Sequence, residues 1–364
     1  MNEPPLTLAP GDRVPNFVLP NHQGTGLMFY NKTKGGPVVL LIYGRNGAPG
    51  SGREVEAVVG LRPQFDALGA ELFLINRDSS ANNAALVAAH SVEYHVLSDP
   101  MGKITAAFAA AMQPGWSETG DGSLPAMCLV LDRNQRVLAV LHAGERTLAE
   151  RAVEVLRREL PVAEGCELSM AAPVLMLPNM LDPATCRQLI ETWETRGHAE
   201  GNVFAVKEGK TVSQVDFSQK KRLDHYLRDD SLTDMLMRTM GPRIADEVFK
   251  AHSYDGFVLE RFVIGAYDDA RGDYFRPHRD NLGPATASRR FAMSVNLNDG
   301  YEGGGIVFPE YGPHVYRPPA GAALIFSCAL IHEAQPVTSG RRFVLLTFLR
   351  DGQNRPHPWS HGAG

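Results

Sequence analysis

The stretch RPHRDN at 276–281 sets His278 two residues before Asp280, in a region of short apolar runs broken by turns. On an extended strand, side chains two apart share a face, so an imidazole and a carboxylate could reach one ion while Arg279 points away. Chance nearly supplies one His-x-Asp triplet in a chain with 12 histidines, so the motif needs a further donor from the same region. His332, which ends the apolar run in GAALIFSCALIHEAQPV and is followed by a proline-containing turn, is the best candidate. Two histidines and one carboxylate on one side of a metal, with the other positions open, suit Fe(II) and oxygen chemistry. Taken singly, each residue reads more simply as a core or loop side chain. A protein-kinase catalytic loop shares the letters HRD but needs asparagine where this chain has Ala285, and the chain has no DFG motif or glycine-rich phosphate loop.

Downstream, TSGRRFVLLTFL places Arg341 and Arg342 at the mouth of an apolar run, where an unpaired guanidinium is costly to bury. A carboxylate ligand would satisfy one of them, because the planar fork of arginine matches a carboxylate. An arginine reaching out to water at the strand mouth explains the spacing equally well.

These residues need a scaffold. At 364 residues the chain is too long for one typical core and implies two domains. Its 44% hydrophobic and 21% charged residues, with a net charge of −5, are those of an ordinary globular protein and point to neither nucleic acid nor a membrane. No apolar run approaches the length of a membrane span, and MNEPPLTLAPGDRVP lacks a leader pattern, so a cytoplasmic protein is expected. Four widely spaced cysteines without a C-x-x-C read as buried apolar residues. Strand and helix signals alternate over 1–160, with a hairpin turning at Asp132 to Gln135, which argues for an α/β layer structure. The rhythm is lost over 161–172, read as a linker. A domain over 173–354 follows, with helices from about 182 to 252, the first capped by Asp182, and then short strands over 257–350; 355–364 is a tail. This order implies an α+β domain built on a sandwich or barrel. The basic run QKKR at 219–222 stands beside LDHYLRDD and reads as a solvated face of mixed charge.

The segment from Tyr267 to Leu349 resembles the prolyl-4-hydroxylase-like branch of the Fe(II)/2-oxoglutarate dioxygenases. The likeness runs through YDDARGDYFRPHRDN, RRFAMSVNLND, YEGGGIVFPE and PPAGAALIFSCALIHEAQPVTSGRRFVLLTFL. It implies a double-stranded β-helix, or jelly-roll, with His278, Asp280 and His332 as iron ligands. It makes Arg342 the partner of the distal carboxylate of 2-oxoglutarate, with Arg341 as the fallback, and Tyr267 a hydroxyl donor to the same cosubstrate. Tyr267 stands one residue further from the histidine than the family pattern has it. The implied activity is hydroxylation of a C–H bond in an amino acid, peptide or protein side chain, with release of succinate and CO2. The cofactors are Fe(II) and 2-oxoglutarate, and ascorbate is admitted as an accessory. A noncatalytic iron or 2-oxoglutarate sensor and a thiol peroxidase using a displaced cysteine are the alternatives.

The first 160 residues resemble a peroxiredoxin, a thioredoxin-fold peroxidase, through PGDRVPNFVLPNHQG, PVVLLIYGRNGAPGSGREVEAV and LSDPMGKITAAF. The family's reactive loop carries proline, threonine and cysteine where this chain has Gly44, Ala48 and Ser51, and the supporting arginine corresponds to Ala126. Serine does not ionise near neutral pH as a thiol does, so Ser51 reads as a capping or turn residue. Cys128 lies inside an apolar strand. The expectation is a redox-inactive domain that serves docking or assembly, including a homodimer through this domain.

Overall fold

The computed structural model describes residues 6, 8–48, 50–113, 124–160, 165, 167–207 and 210–355. The chain divides into two compact units, Met1–Gly165 and Cys166–Gly364, each described by itself.

In the first unit five strands form one sheet in the order His95–Ser98, Glu71–Asn76, Val38–Ile42, Met127–Leu131, Val137–His142. The first three run parallel and the last two antiparallel. Covered on both faces, the central strand is apolar throughout rather than alternating. Val38, Leu40 and Ile42 face one core with Phe108 and Met112, and Val39, Leu41 and Tyr43 face the other with Val55, Val58 and Leu156. The hairpin turns where the sequence places it: Oδ1 of Asp132 accepts from the backbone N–H of Asn134 (2.7 Å) and Arg136 (2.9 Å). Helix Leu148–Glu159 starts with a capping box between Thr147 and Glu150.

The second unit is built on two main antiparallel sheets, with two further two-stranded ones, Val203–Lys207 with Lys210–Gln214 and Glu302–Gly303 with Val337–Ser339. The larger has the path Val174–Leu177, Ala323–Ser327, Arg289–Asn296, Arg341–Asp351, Val263–Asp268, Leu223–Tyr226, Ala199–Glu200, with Phe257–Leu259 also paired to Arg341–Asp351. The smaller runs Lys220–Lys221, Tyr274–His278, His332–Ala334, Ile306–Val307, Val315–Tyr316. Helices Pro183–Thr195 and Asp230–His252 brace the larger sheet, their residues Leu189, Trp193, Leu236 and Met240 packing with Ile264 and Leu345. Asp182 caps the first through Ala184 N and Thr185 N at 2.8 and 2.9 Å, and Asp229 caps the second.

The Arg341–Asp351 strand shows how the pattern builds the site. Phe343, Leu345 and Leu349 pack with Leu189, Trp193, Leu236, Met240 and Ile244 of the two helices. Val344 joins the second core with Tyr267, Phe308 and Phe326, while Arg342, Val344, Leu346 and Phe348 line a cavity. One strand thus divides a helix-facing core from a site, and its period of two decides which residues serve each.

Candidate metal centre

His278 is the last residue of the Tyr274–His278 strand, and its register partner across the sheet is His332. Two expectations need correction here. Asp280 does not lie on the strand with His278; it sits in the bend beyond the strand end, where its N–H donates to the Cys328 carbonyl at 3.0 Å. His332 does not end the apolar strand but begins the next, because that strand stops at Ser327 and the turn at Cys328–Leu330 carries the chain into the smaller sheet. Cross-strand pairing of the histidines, rather than alternation along one strand, brings the donors together.

They converge closely. One donor atom from each of His278, Asp280 and His332 lies within 4.8 Å of the other two. Nε2 of His278 stands 3.4 Å from Asp280 Oδ1, and Nε2 of His332 stands 3.3 Å from Oδ2. Each imidazole directs Nδ1 at a backbone carbonyl two residues back, Arg276 at 2.7 Å and Leu330 at 3.1 Å. A carbonyl only accepts, so each Nδ1 carries a proton, which leaves Nε2 as the ring nitrogen that faces Asp280 and is placed to bind a metal. Burial lowers the His332 pKa to about 4 against the opposing pull of Asp280, so its ring is neutral near pH 7. Burial alone would raise the Asp280 carboxyl, but the charge that His332 and His278 carry when protonated outweighs it and holds the group well below the usual carboxylate range. Two imidazole nitrogens and one carboxylate fit a divalent ion of the iron type. The Phe275 ring stacks on His278 at 3.5 Å and limits its rotation.

The triad opens into a cavity of about 530 Å³. Arg342 lines it and is 2% exposed. Its Nε and Nη2 donate to Asn296 Oδ1 at 3.0 and 2.8 Å, and its Nη1 donates to the Gly304 carbonyl at 2.7 Å. The Gly304 backbone has a φ of +63°, and a Cβ there would come 2.8 Å from the Val337 side chain, so only glycine presents that carbonyl. Among the described residues no carboxylate lies in salt-bridge range of Arg342, which leaves a buried, un-neutralised cation. Tyr267 is its register partner on the adjacent strand, with the guanidinium 5.7 Å from the ring centre. Arg341 points the other way, half exposed, and pairs with Asp268. Farther along the cavity Arg289 and Glu260 form a two-pronged pair at 3.0 and 2.8 Å, with the guanidinium 3.6 Å from the centre of the Phe348 ring.

The reading of QKKR as a solvated face is wrong for two of its residues. Lys220 and Arg222 are 4% and 7% exposed and line the cavity with Asp224. The signal was present: K-x-R-x-D has the period of a strand, so all three side chains turn to one side.

Residues 263–350 match the family model described as the 2OG-Fe(II) oxygenase superfamily. The second unit carries a 2OG-Fe(II) oxygenase domain. Residues 10–140 match the AhpC/TSA family, and the first unit is a peroxiredoxin-like domain of thioredoxin fold. The oxygenase domain is similar to a PKHD-type hydroxylase of Maricaulis maris, 30% identical over 125 residues, which are 31% of this chain and 56% of that protein. It is also similar to human procollagen-lysine,2-oxoglutarate 5-dioxygenase 2, 30% identical over 28% of this chain and 14% of that protein. The chain therefore spans little more than half of one relative and a small part of the other. The crystal structure of the viral collagen prolyl hydroxylase vCPH from Paramecium Bursaria Chlorella virus-1 is 16% identical, covering 50% of this chain and 97% of that one with a TM-score of 0.37. Peroxidoxin BcpB from Mycobacterium tuberculosis is 26% identical over 42% of this chain and 97% of that one, also with a TM-score of 0.37.

In the peroxiredoxin-like domain, Ser51 opens helix Ser51–Gly60 and its Oγ donates to the Ala48 carbonyl at 2.8 Å. It is the first helical residue and ties the helix to the preceding turn, while Gly50 occupies the capping position. Cys128 is 1% exposed in the central sheet opposite Leu41, and burial pushes its thiol far above the usual range. It offers neither thiolate nor access. Among the described residues no helix is long and apolar enough to cross a membrane.

Proposed function

We propose that the oxygenase domain is an Fe(II)- and 2-oxoglutarate-dependent hydroxylase in which His278, Asp280 and His332 hold the metal and Arg342 and Tyr267 hold the distal carboxylate of the cosubstrate. The convergence of three donor atoms, with both Nδ1 positions already committed to backbone carbonyls, carries this reading. When bound, iron and 2-oxoglutarate supply the oxygen chemistry, yielding succinate, CO2 and a hydroxylated C–H bond. The chain supplies the rest. Asn296 and Gly304 fix the guanidinium of Arg342 so that its remaining donors meet a carboxylate without reorganisation. Ile306, Phe326, Val344 and Leu346 give the cavity an apolar wall that excludes water from the reacting carbon. The substrate is an amino acid, peptide or protein side chain.

The test is succinate formation by purified protein with Fe(II), 2-oxoglutarate and ascorbate, with mass-spectrometric detection of +16 Da products across candidate substrates. Succinate should form slowly alone and faster with a substrate. No succinate above that of a His278→Ala, His332→Ala double variant would overturn the reading, and binding of metal and cosubstrate without turnover would mark a sensor instead.

A further inference from the structure

The wall of the cavity beside the metal centre holds a second cationic group that the proposed chemistry leaves unused. Lys220 Nζ donates to Asp224 Oδ2 at 2.8 Å and to the Asn202 carbonyl at 3.1 Å. Arg222 donates to both oxygens of Asp224, through Nε at 2.5 Å and Nη2 at 2.9 Å, and through Nη1 to the Tyr267 hydroxyl at 3.1 Å. Two cations thus share one carboxylate, and all three side chains are more than nine-tenths buried. The backbone makes room for them at two glycines. A Cβ at Gly201 would stand 2.5 Å from Asp224 Oδ2 and 2.6 Å from Lys220 Nζ, and one at Gly265 would stand 3.0 Å from Arg222 Nε. Burial, and after it the neighbouring charge of Arg222, pulls the Lys220 pKa down to about 8 despite Asp224.

Charge balance gives the excess a purpose. A divalent ion with Asp280 leaves one net positive charge, and the buried Arg342 supplies another; the two carboxylates of 2-oxoglutarate neutralise both. Lys220, Arg222 and Asp224 together retain a further net positive charge in a wall where an uncompensated charge is costly. The cluster borders both partners of the reaction. The Phe275 ring stacks on His278 and lies with its centre 5.4 Å from Lys220 Nζ, and the centre of the Tyr267 ring is 5.4 Å from the Arg222 guanidinium and 5.7 Å from that of Arg342. We propose that Lys220 and Arg222, held by Asp224, form a carboxylate-binding subsite for the substrate, so that this oxygenase takes a carboxylic acid of amino-acid size. This rests on the hydroxylase reading above. An anion on the cluster sits one aromatic ring from a metal ligand, a span that the carbon skeleton of such a molecule covers.

The experiment compares free L-amino acids with the matching carboxamides and with peptides blocked at both ends. Binding is followed by calorimetry with Mn(II) in place of iron and saturating 2-oxoglutarate, and turnover by succinate and +16 Da products with Fe(II). At least one acid should bind and react, at least tenfold better than its amide. Lys220→Met should reduce that acid-to-amide ratio to within threefold, and Lys220→Arg should restore most of it. Mn(II) binding by each variant checks that the domain is folded. Equal binding of acid and amide, preference for blocked peptides, or no binding by any acid would overturn the subsite. So would an Arg222→Met variant whose KM for 2-oxoglutarate rises as much as that of Arg342→Met while acid-to-amide discrimination persists, since the cluster would then serve the cosubstrate. Failure of the hydroxylase reading shows separately, as absence of succinate and of 2-oxoglutarate binding in the unmodified protein.

Discussion

At the scale of single residues, the triad and Arg342 make distinct claims. Alanine at His278, Asp280 or His332 removes a donor from a three-donor site. Each change should lower Mn(II) affinity and succinate formation by more than the roughly 10–100-fold that loss of an outer hydrogen-bond partner costs a metal site. Equilibrium dialysis and a succinate assay check both, and a variant with unimpaired metal binding would remove that residue from the set. Arg342→Ala removes the buried cation proposed to hold the cosubstrate carboxylate and strands Asn296 Oδ1, an effect of about 2–5 kcal/mol on such a pair, or about 30-fold and upward in the KM for 2-oxoglutarate. Arg341→Ala breaks a half-exposed pair with Asp268 that points away from the cavity and should shift the same KM less than about threefold. The choice between these neighbours was open in the sequence, because both readings of a strand-mouth arginine are physically sound. The structure separates them by parity alone: Arg342 shares its face with Val344 and Leu346, and Arg341 shares its face with Phe343.

At the scale of elements, the sequence showed what each segment becomes better than where it ends. The hairpin at Asp132 and the helix cap at Asp182 were legible because short-range hydrogen bonds determine them, and those bonds lie within a few residues of each other. The place of His332 was not legible in the same way. The run GAALIFSCALIHEA is apolar on both sides of the turn, so composition does not mark Cys328–Leu330 as the crossing from one sheet to the other. Lys220 and Arg222 were misread for a related reason. A cluster of opposite charges looks solvated until the strands on either side enclose it, although its period of two was already a warning. The helix-facing core gives a prediction at this scale. Leu345 is fully buried among Leu236, Met240 and Ile264, so Leu345→Ala should cost about 2–5 kcal/mol of stability. Asp182→Ala removes only a helix cap and should cost about 1 kcal/mol. Urea titrations of the oxygenase domain check the ratio; an Asp182→Ala change as damaging as Leu345→Ala would mean that the helices, rather than their packing on the sheet, limit the fold.

For the whole molecule, the question is what a peroxiredoxin-like domain does when Ser51 stands where the resemblance places the reactive cysteine. Its two cores, one on each face of the five-stranded sheet, draw on residues of the first unit only, and the two cores of the second unit draw only on that unit. Each unit therefore buries enough apolar surface of its own to fold as an independent body. An intact fold without a nucleophile still offers a surface, and a tethered surface raises the local concentration of whatever it holds. We expect the first unit to serve assembly or substrate docking. A chain beginning at Glu167 should keep Mn(II) binding and slow succinate formation in the absence of substrate. The full chain should self-associate in sedimentation experiments or couple hydroxylation to substrate through the first unit, and the shortened chain should lose whichever of these the first unit supplies. The first unit alone should reduce hydrogen peroxide no faster than buffer, because Ser51 carries no thiol and Cys128 has neither access nor a thiolate. Rapid peroxide consumption that survives Cys128→Ser would reveal a nucleophile elsewhere, and a shortened chain as active and as assembled as the whole would leave the first unit without the role assigned to it.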